Sequence, residues 1–187
     1  MKLLFLFGLF LFAAGMNACG QGSDDKATDN PGGAKYVGGN SSAVAAASPS
    51  LTTCYKGDVW ACAVEATIVK ETNLLRQKAL LQSFEDSFVA REWSSAQAEV
   101  GKISHDGFPD QRKVSLLANF NASWGVFAEN VAMARTQELD PVRVGKIFVQ
   151  MWNGSPGHRT NMLGNYTYLG AGVARVGNSI YATQIFH

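Results

Sequence analysis

Apolar residues recur at helical spacing through the middle of the chain. Over residues 63–81, Val64, Ile68, Leu75 and Leu81 return near helical intervals with polar residues between them, which predicts a helix. A second helix is predicted over 84–100, where Phe84, Phe88, Val89 and Trp93 share a face and Asp86, Arg91 and Glu92 lie elsewhere. Gly101 follows as a stop signal. A short apolar helix is expected over 114–120. Asp140-Pro141 reads as a cap followed by a first-turn proline, and Val144, Ile147, Phe148 and Met151 give the next helix its buried stripe.

The pattern then shifts toward strands. Residues 124–133 read as a strand leading into a turn, and 168–176 and 179–186 are β-rich. Gly177-Asn178 links the last two, and glycine in the first position suits a type II′ hairpin turn. Helices flanking an antiparallel hairpin make an α+β pattern, not the alternation that builds a parallel sheet.

The N-terminus departs from both patterns. Met1-Lys2 precedes a short apolar run from Leu3 to Gly15, the layout of a signal peptide and short for a membrane span. Met16-Asn17-Ala18-Cys19 resembles the lipobox of bacterial lipoproteins, which implies signal removal over 1–18 and lipidation of Cys19. Secretion after Ala18 is the alternative. Gly20 rather than Asp after the cysteine favours the outer membrane if the host is Gram-negative. Residues 19–53 form the lipidated cysteine and a linker rich in Gly, Ser, Ala, Asp and Asn that cannot bury enough to fold. As a flexible coil it would reach roughly 30 Å. The domain occupies 54–187.

Composition narrows the class. A net charge of +1 with both signs scattered offers no basic field for nucleic acid. Three cysteines in an exported chain leave one over. Lipidation of Cys19 accounts for it and leaves Cys54 and Cys62 as a disulfide, favoured by an oxidising compartment.

The candidate chemistry lies in three separated residues. His158 sits in a turn rich in Ser, Gly and Pro after the fourth predicted helix, and His105 and Glu129 sit in irregular or terminal positions. Two imidazoles and a carboxylate are three corners of a zinc site, or an acid–base pair about a substrate. The ordinary alternatives are His105 as a loop cap, Glu129 as a partner of Arg135, and His158 bonded to the turn backbone. Trp93 and Trp152 fall on helical faces and read as core, while Asn130 and Asn161 read as partners of loop backbone.

Six motifs in order extend this picture: Glu65 with Asn73-Leu74-Leu75-Arg76; Ala90-Arg91-Glu92-Trp93-Ser94; Ile103-Ser104-His105; Ala128-Glu129-Asn130; Trp152 through Leu163; and Leu169-Gly170-Ala171-Gly172-Val173 with Tyr181 through Phe186. Together they resemble the CAP superfamily (cysteine-rich secretory proteins, antigen 5 and pathogenesis-related 1), in its bacterial branch. The resemblance implies an α-β-α sandwich with an antiparallel sheet and a cleft lined by two histidines and two acids. His105, Glu129 and His158 match three cleft positions, and Ser155 stands where the family's fourth acid would be. A neutral hydroxyl there weakens any site for a divalent metal such as zinc, for which His105 and His158 are the candidate ligands. Asp106 and Asp110 are the candidate substitutes.

The expected function is an extracytoplasmic domain, tethered to the membrane through an N-terminal lipid. Its cleft would bind a small molecule, lipid or protein ligand, with a divalent metal as the candidate cofactor. The alternatives are a hydrolase of peptides or esters, with Glu129 or a metal activating water, and an adhesion module with a vestigial cleft.

Overall fold

A computed structural model describes residues 54–123 and 127–187. The predicted signal segment, Cys19, the linker and residues 124–126 of the predicted strand lie outside the described residues. The described residues all lie in one unit.

Helix α1 (Val59–Leu74) begins and ends earlier than its apolar spacing predicts. Asp58 caps it, its carboxylate accepting from the Ala61 N–H at 3.0 Å. It stops because the Asn73 side chain closes on Leu80, donating to the carbonyl at 3.0 Å and accepting from the N–H at 2.9 Å. The chain folds back there, so Leu75 and Leu81 are exposed and Leu80 is buried instead. Leu81–Gln82 forms the short strand β1.

The next elements follow their local signals more closely. Helix α2 (Phe84–Val100) starts on Ser83, whose hydroxyl accepts from the Asp86 N–H at 3.0 Å, and ends on Gly101 at φ +72°. Helix α3 (Asp110–Phe120) begins a turn before the predicted one. Helix α4 (Pro141–Asn153) is capped by Asp140, which accepts from the Val142 N–H at 2.9 Å. Helix α5 (Pro156–Leu163) replaces the turn expected around His158.

Strand β2 (Ala128–Arg135) pairs antiparallel with β4 (Ser179–Phe186), and β4 antiparallel with β3 (Tyr168–Val176). Strand β1 joins β3 in parallel, giving the order β1-β3-β4-β2. The sheet is therefore mixed, not purely antiparallel. Two residues of parallel pairing arise because the chain leaving α1 crosses to the β3 edge before entering α2. In the β3–β4 hairpin, Gly177 has φ +56° and Asn178 is not at positive φ, which fits type II′ and excludes type I′.

Two helical layers cover the sheet. On one face Val64, Ile68, Phe148 and Trp152 pack on Leu169, Ala171, Ile180 and Phe186. On the other, Val89, Ala90 and Leu116 pack on Ile185. Gly170 and Gly172 set the spacing of that second layer. A Cβ on either would strike the α2 backbone, at Asp86 and Ser87 or at Ala90 and Arg91.

Because β1 is so short, side chains satisfy part of the outer edge of β3. The Glu65 carboxylate accepts from the Val173 N–H at 2.8 Å, and the Ser87 hydroxyl from that of Ala171 at 3.3 Å. Glu65 also pairs with Arg91, both buried. Burial pushes the Glu65 carboxyl up to about 7, with Arg91 pulling the other way. Beside this pair Cys54 and Cys62 are disulfide-bonded, as expected, with Cα atoms 5.8 Å apart. Closing so short a loop contributes about 2–3 kcal/mol in the chain-entropy model.

The third histidine carried no expectation. His187 stacks on Tyr168 at 4.7 Å between ring centres and lies 2.6 Å from the buried Asp86 carboxylate. Its backbone pairs with Tyr168 as well, so the last described residue is fastened to the start of β3.

Candidate functional site

Strand β2 lies at an edge of the sheet, and its alternation sends adjacent side chains into opposite layers. Glu129, opposite Ile185, turns toward α3. Asn130, opposite Gln184, turns toward α5.

On the first side the Glu129 side chain is fully buried, at 0% exposure. Both of its oxygens accept from Arg112: Nε to Oε2 at 2.7 Å and Nη2 to Oε1 at 3.1 Å. This is the two-pronged pairing that matches a guanidinium to a carboxylate. Arg112 is itself buried, and its guanidinium lies 3.6 Å from the centre of the Trp93 ring. A third N–H reaches the Asp106 carbonyl at 3.2 Å. Trp93 ties the same loop to α2 by donating its indole N–H to Ser104 O at 3.0 Å. It is thus a platform for a cation, more than the core residue expected.

His105 completes this side. Its Nδ1 lies 2.9 Å from Glu129 Oε1, and 51% of its side chain is exposed. The imidazole is held at Nδ1 by a buried acid while half of the side chain is open to solvent. Glu129 pairs with Arg112 and His105, and not with Arg135.

On the second side Asn130 donates to the His158 carbonyl at 3.1 Å and to Gln184 Oε1 at 3.0 Å. Asn161 donates to Glu129 O at 3.2 Å and Asn130 Oδ1 at 2.9 Å, so both asparagines bind backbone around the site as expected. Gln184 continues the chain to Thr72 Oγ1 of α1 at 2.8 Å. This network fixes the backbone of His158, the third residue of α5. The His158 imidazole is held below its ordinary range first by burial and then by the nearby His105. Arg76 closes the other end of α5, donating to the carbonyls of Met162 and Gly164.

The structure thus joins His105 directly to Glu129 and sets His158 near enough to feel His105. Ser155 is the N-cap of α5, but its hydroxyl makes no capping bond. The side chains of Asp106 and Asp110 are exposed, and neither makes a bond to either histidine among the described residues. Arg112 was missed. Its signal was the i, i+4 spacing to Leu116, which shares its buried face.

This geometry bears on the metal. A site of His105, Glu129 and His158 does not fit, because both Glu129 oxygens are already taken by a guanidinium and an imidazole. Among the described residues no group of three or more His, Cys, Asp or Glu side chains is placed to hold a metal ion. Two imidazoles remain, fewer than the three protein ligands usual in a catalytic zinc site.

The sequence model of the cysteine-rich secretory protein family, CAP, matches residues 69–186. An extracellular protein with an SCP domain from Bacillus anthracis is similar at 27% identity and TM-score 0.52, over 67% of this chain and 40% of that one. The chain therefore spans less than half of that relative's length. An outer surface protein of Borrelia burgdorferi is similar at 19% identity and TM-score 0.52, over 64% of this chain and 87% of that one. NaASP2, in a structure with Zn2+, is similar at 16% identity and TM-score 0.50, over 66% and 78%. These last two share the fold. No curated protein matches the sequence.

Proposed function

This chain belongs to the cysteine-rich secretory protein (CAP) family, and from that premise we propose that it is an exported domain, tethered through a lipid on Cys19, whose cleft binds a small ligand through His105 and His158. The observation that carries the reading is the buried Glu129 holding an exposed His105 from behind. A protein that only needed a packed core there would have no reason to bury an acid and an arginine to steer a half-exposed imidazole, since buried ion pairs are weak stabilisers.

Export and tethering rest on the N-terminal apolar run and Met16-Asn17-Ala18-Cys19. No helix among the described residues is long and apolar enough to cross a membrane. The similar proteins of Bacillus anthracis and Borrelia burgdorferi are named as extracellular and outer surface proteins, which accords with this location. Labelling with a fatty acid in cells should mark the wild type and not Cys19→Ala.

Zinc accompanies NaASP2, a protein of the same fold. For this chain the ligand set argues for a cleft that works without a resident metal. The test is retention of envelope lipids and small molecules from a cell extract by the purified domain, read by mass spectrometry. At least one species should stay with the wild type and be lost from His105→Ala/His158→Ala. Identical eluates would remove the reading.

The hydrolase remains a second reading on one observation, an imidazole oriented by a buried carboxylate. In it His105, whose ring reaches solvent, and not Glu129 would take the proton from water.

A further inference from the structure

A carboxylate oxygen only accepts hydrogen bonds, and both Glu129 oxygens also accept from Arg112. The 2.9 Å contact to His105 must therefore be donated by Nδ1. In the neutral ring this leaves Nε2 without a proton, in a side chain half open to solvent. Free histidine favours the opposite tautomer, so the arrangement has to be imposed by its partners.

We infer that Arg112 is the positioning residue of the cleft. Through Glu129 it fixes His105 with Nε2 as an outward-facing acceptor, and the cleft accordingly selects ligands that offer it an N–H or O–H donor. Four contacts carry this. Arg112 is buried, grips both oxygens, rests on Trp93 and bonds the Asp106 carbonyl next to His105. The guanidinium cannot turn without losing all of them. Glu129 is fully buried, so bulk solvent does not compete with His105 for its oxygens. The ligand class follows from the same geometry: an amide or hydroxyl can donate to Nε2, whereas a carboxylate presents only acceptors to an acceptor.

This inference rests on the ligand-binding reading of the cleft, but its first readout does not need a ligand. The experiment is 15N–1H long-range correlation of the histidine rings in the intact protein, at a pH where His105 is neutral. The wild type should show His105 protonated on Nδ1 and bare on Nε2. Glu129→Ala should return the ring to the Nε2–H form, and Arg112→Lys, which keeps the charge but loses the two-pronged grip, should give a mixture. An Nε2–H ring in the wild type overturns the inference even if no variant folds. So does an unchanged ring in either folded variant, Arg112→Lys or Glu129→Ala.

The second readout adds acetamide and, separately, acetate to the wild type and follows His105 Nε2. Acetamide should shift it at least several-fold more than acetate does. Equal shifts, or none with either probe, overturn the ligand class while leaving the tautomer result intact. Failure of the ligand-binding reading alone would appear differently, as the expected tautomer and acetamide shift in a domain that retains nothing from the extract.

Discussion

Arg112 and Glu129, seventeen residues apart in sequence, are joined by two hydrogen bonds of 2.7 and 3.1 Å inside the protein. Neither tolerates losing the other. Arg112→Met should destabilise the domain by about 3–5 kcal/mol, because it strands a buried carboxylate. Arg112→Met/Glu129→Leu should recover most of the loss. Urea denaturation of the two single variants and the double would check this, and additive losses would contradict it.

His158 should titrate below 6.5, since burial and the neighbouring His105 both disfavour its charge. Replacing His105 by alanine removes the second cause and keeps the first. NMR titration should then find His158 moved upward in His105→Ala but still below its ordinary value.

Glu65 makes stability depend on pH in an uncommon direction. Its folded value is about 7 against an ordinary 4.5, so between those pH values the folded chain holds a proton that the unfolded chain has released. Its contribution is full below about pH 4.5 and is lost as pH rises to about 7. Thermal melts across that window should show the decline, and Glu65→Gln should flatten it.

Zinc should bind the wild-type domain weakly. With two imidazoles as the available ligands, calorimetry should find no one-to-one site tighter than about micromolar, since such sites use three or four protein ligands. A tight site lost in both His105→Ala and His158→Ala would restore the metal reading.

Trp152 is fully buried, and its indole N–H has no hydrogen-bond partner among the described residues. Trp152→Ala should cost about 3–5 kcal/mol from the cavity. Trp152→Phe should cost far less, because it keeps most of the ring and removes a donor whose burial costs about 1–3 kcal/mol. A loss in Trp152→Phe as large as that in Trp152→Ala would contradict this.

The fold was legible wherever a local signal sufficed. Ser83, Gly101 and Asp140-Pro141 act on residues beside them, and α2 and α4 lie where those signals predict. Gly177-Asn178 likewise determines its own turn. The end of α1 was not legible, because Asn73 bonding Leu80 overrides an apolar spacing that would have carried on through Leu75. Nor was α5, since Ser, Pro and Gly at a helix start look the same as in a loop. Motif resemblance brought His105, Glu129 and His158 together, and the structure joins His105 to Glu129. Arg112 escaped because the helix expected from apolar spacing began only at residue 114, and only tertiary packing sets this arginine under Trp93.

The alternation of β2 has a consequence for how the domain tolerates change in length. Glu129 and Asn130 are neighbours that serve different layers, one holding Arg112 and His105, the other holding α5. Inserting one residue ahead of them would carry Glu129 to the face of the His158 carbonyl and leave the guanidinium without its acid, and deleting one would bring the Asn130 amide to the guanidinium. In a library of single-residue insertions and deletions, those ahead of Glu129 in β2 should therefore be depleted, because each costs the polar pair its partners.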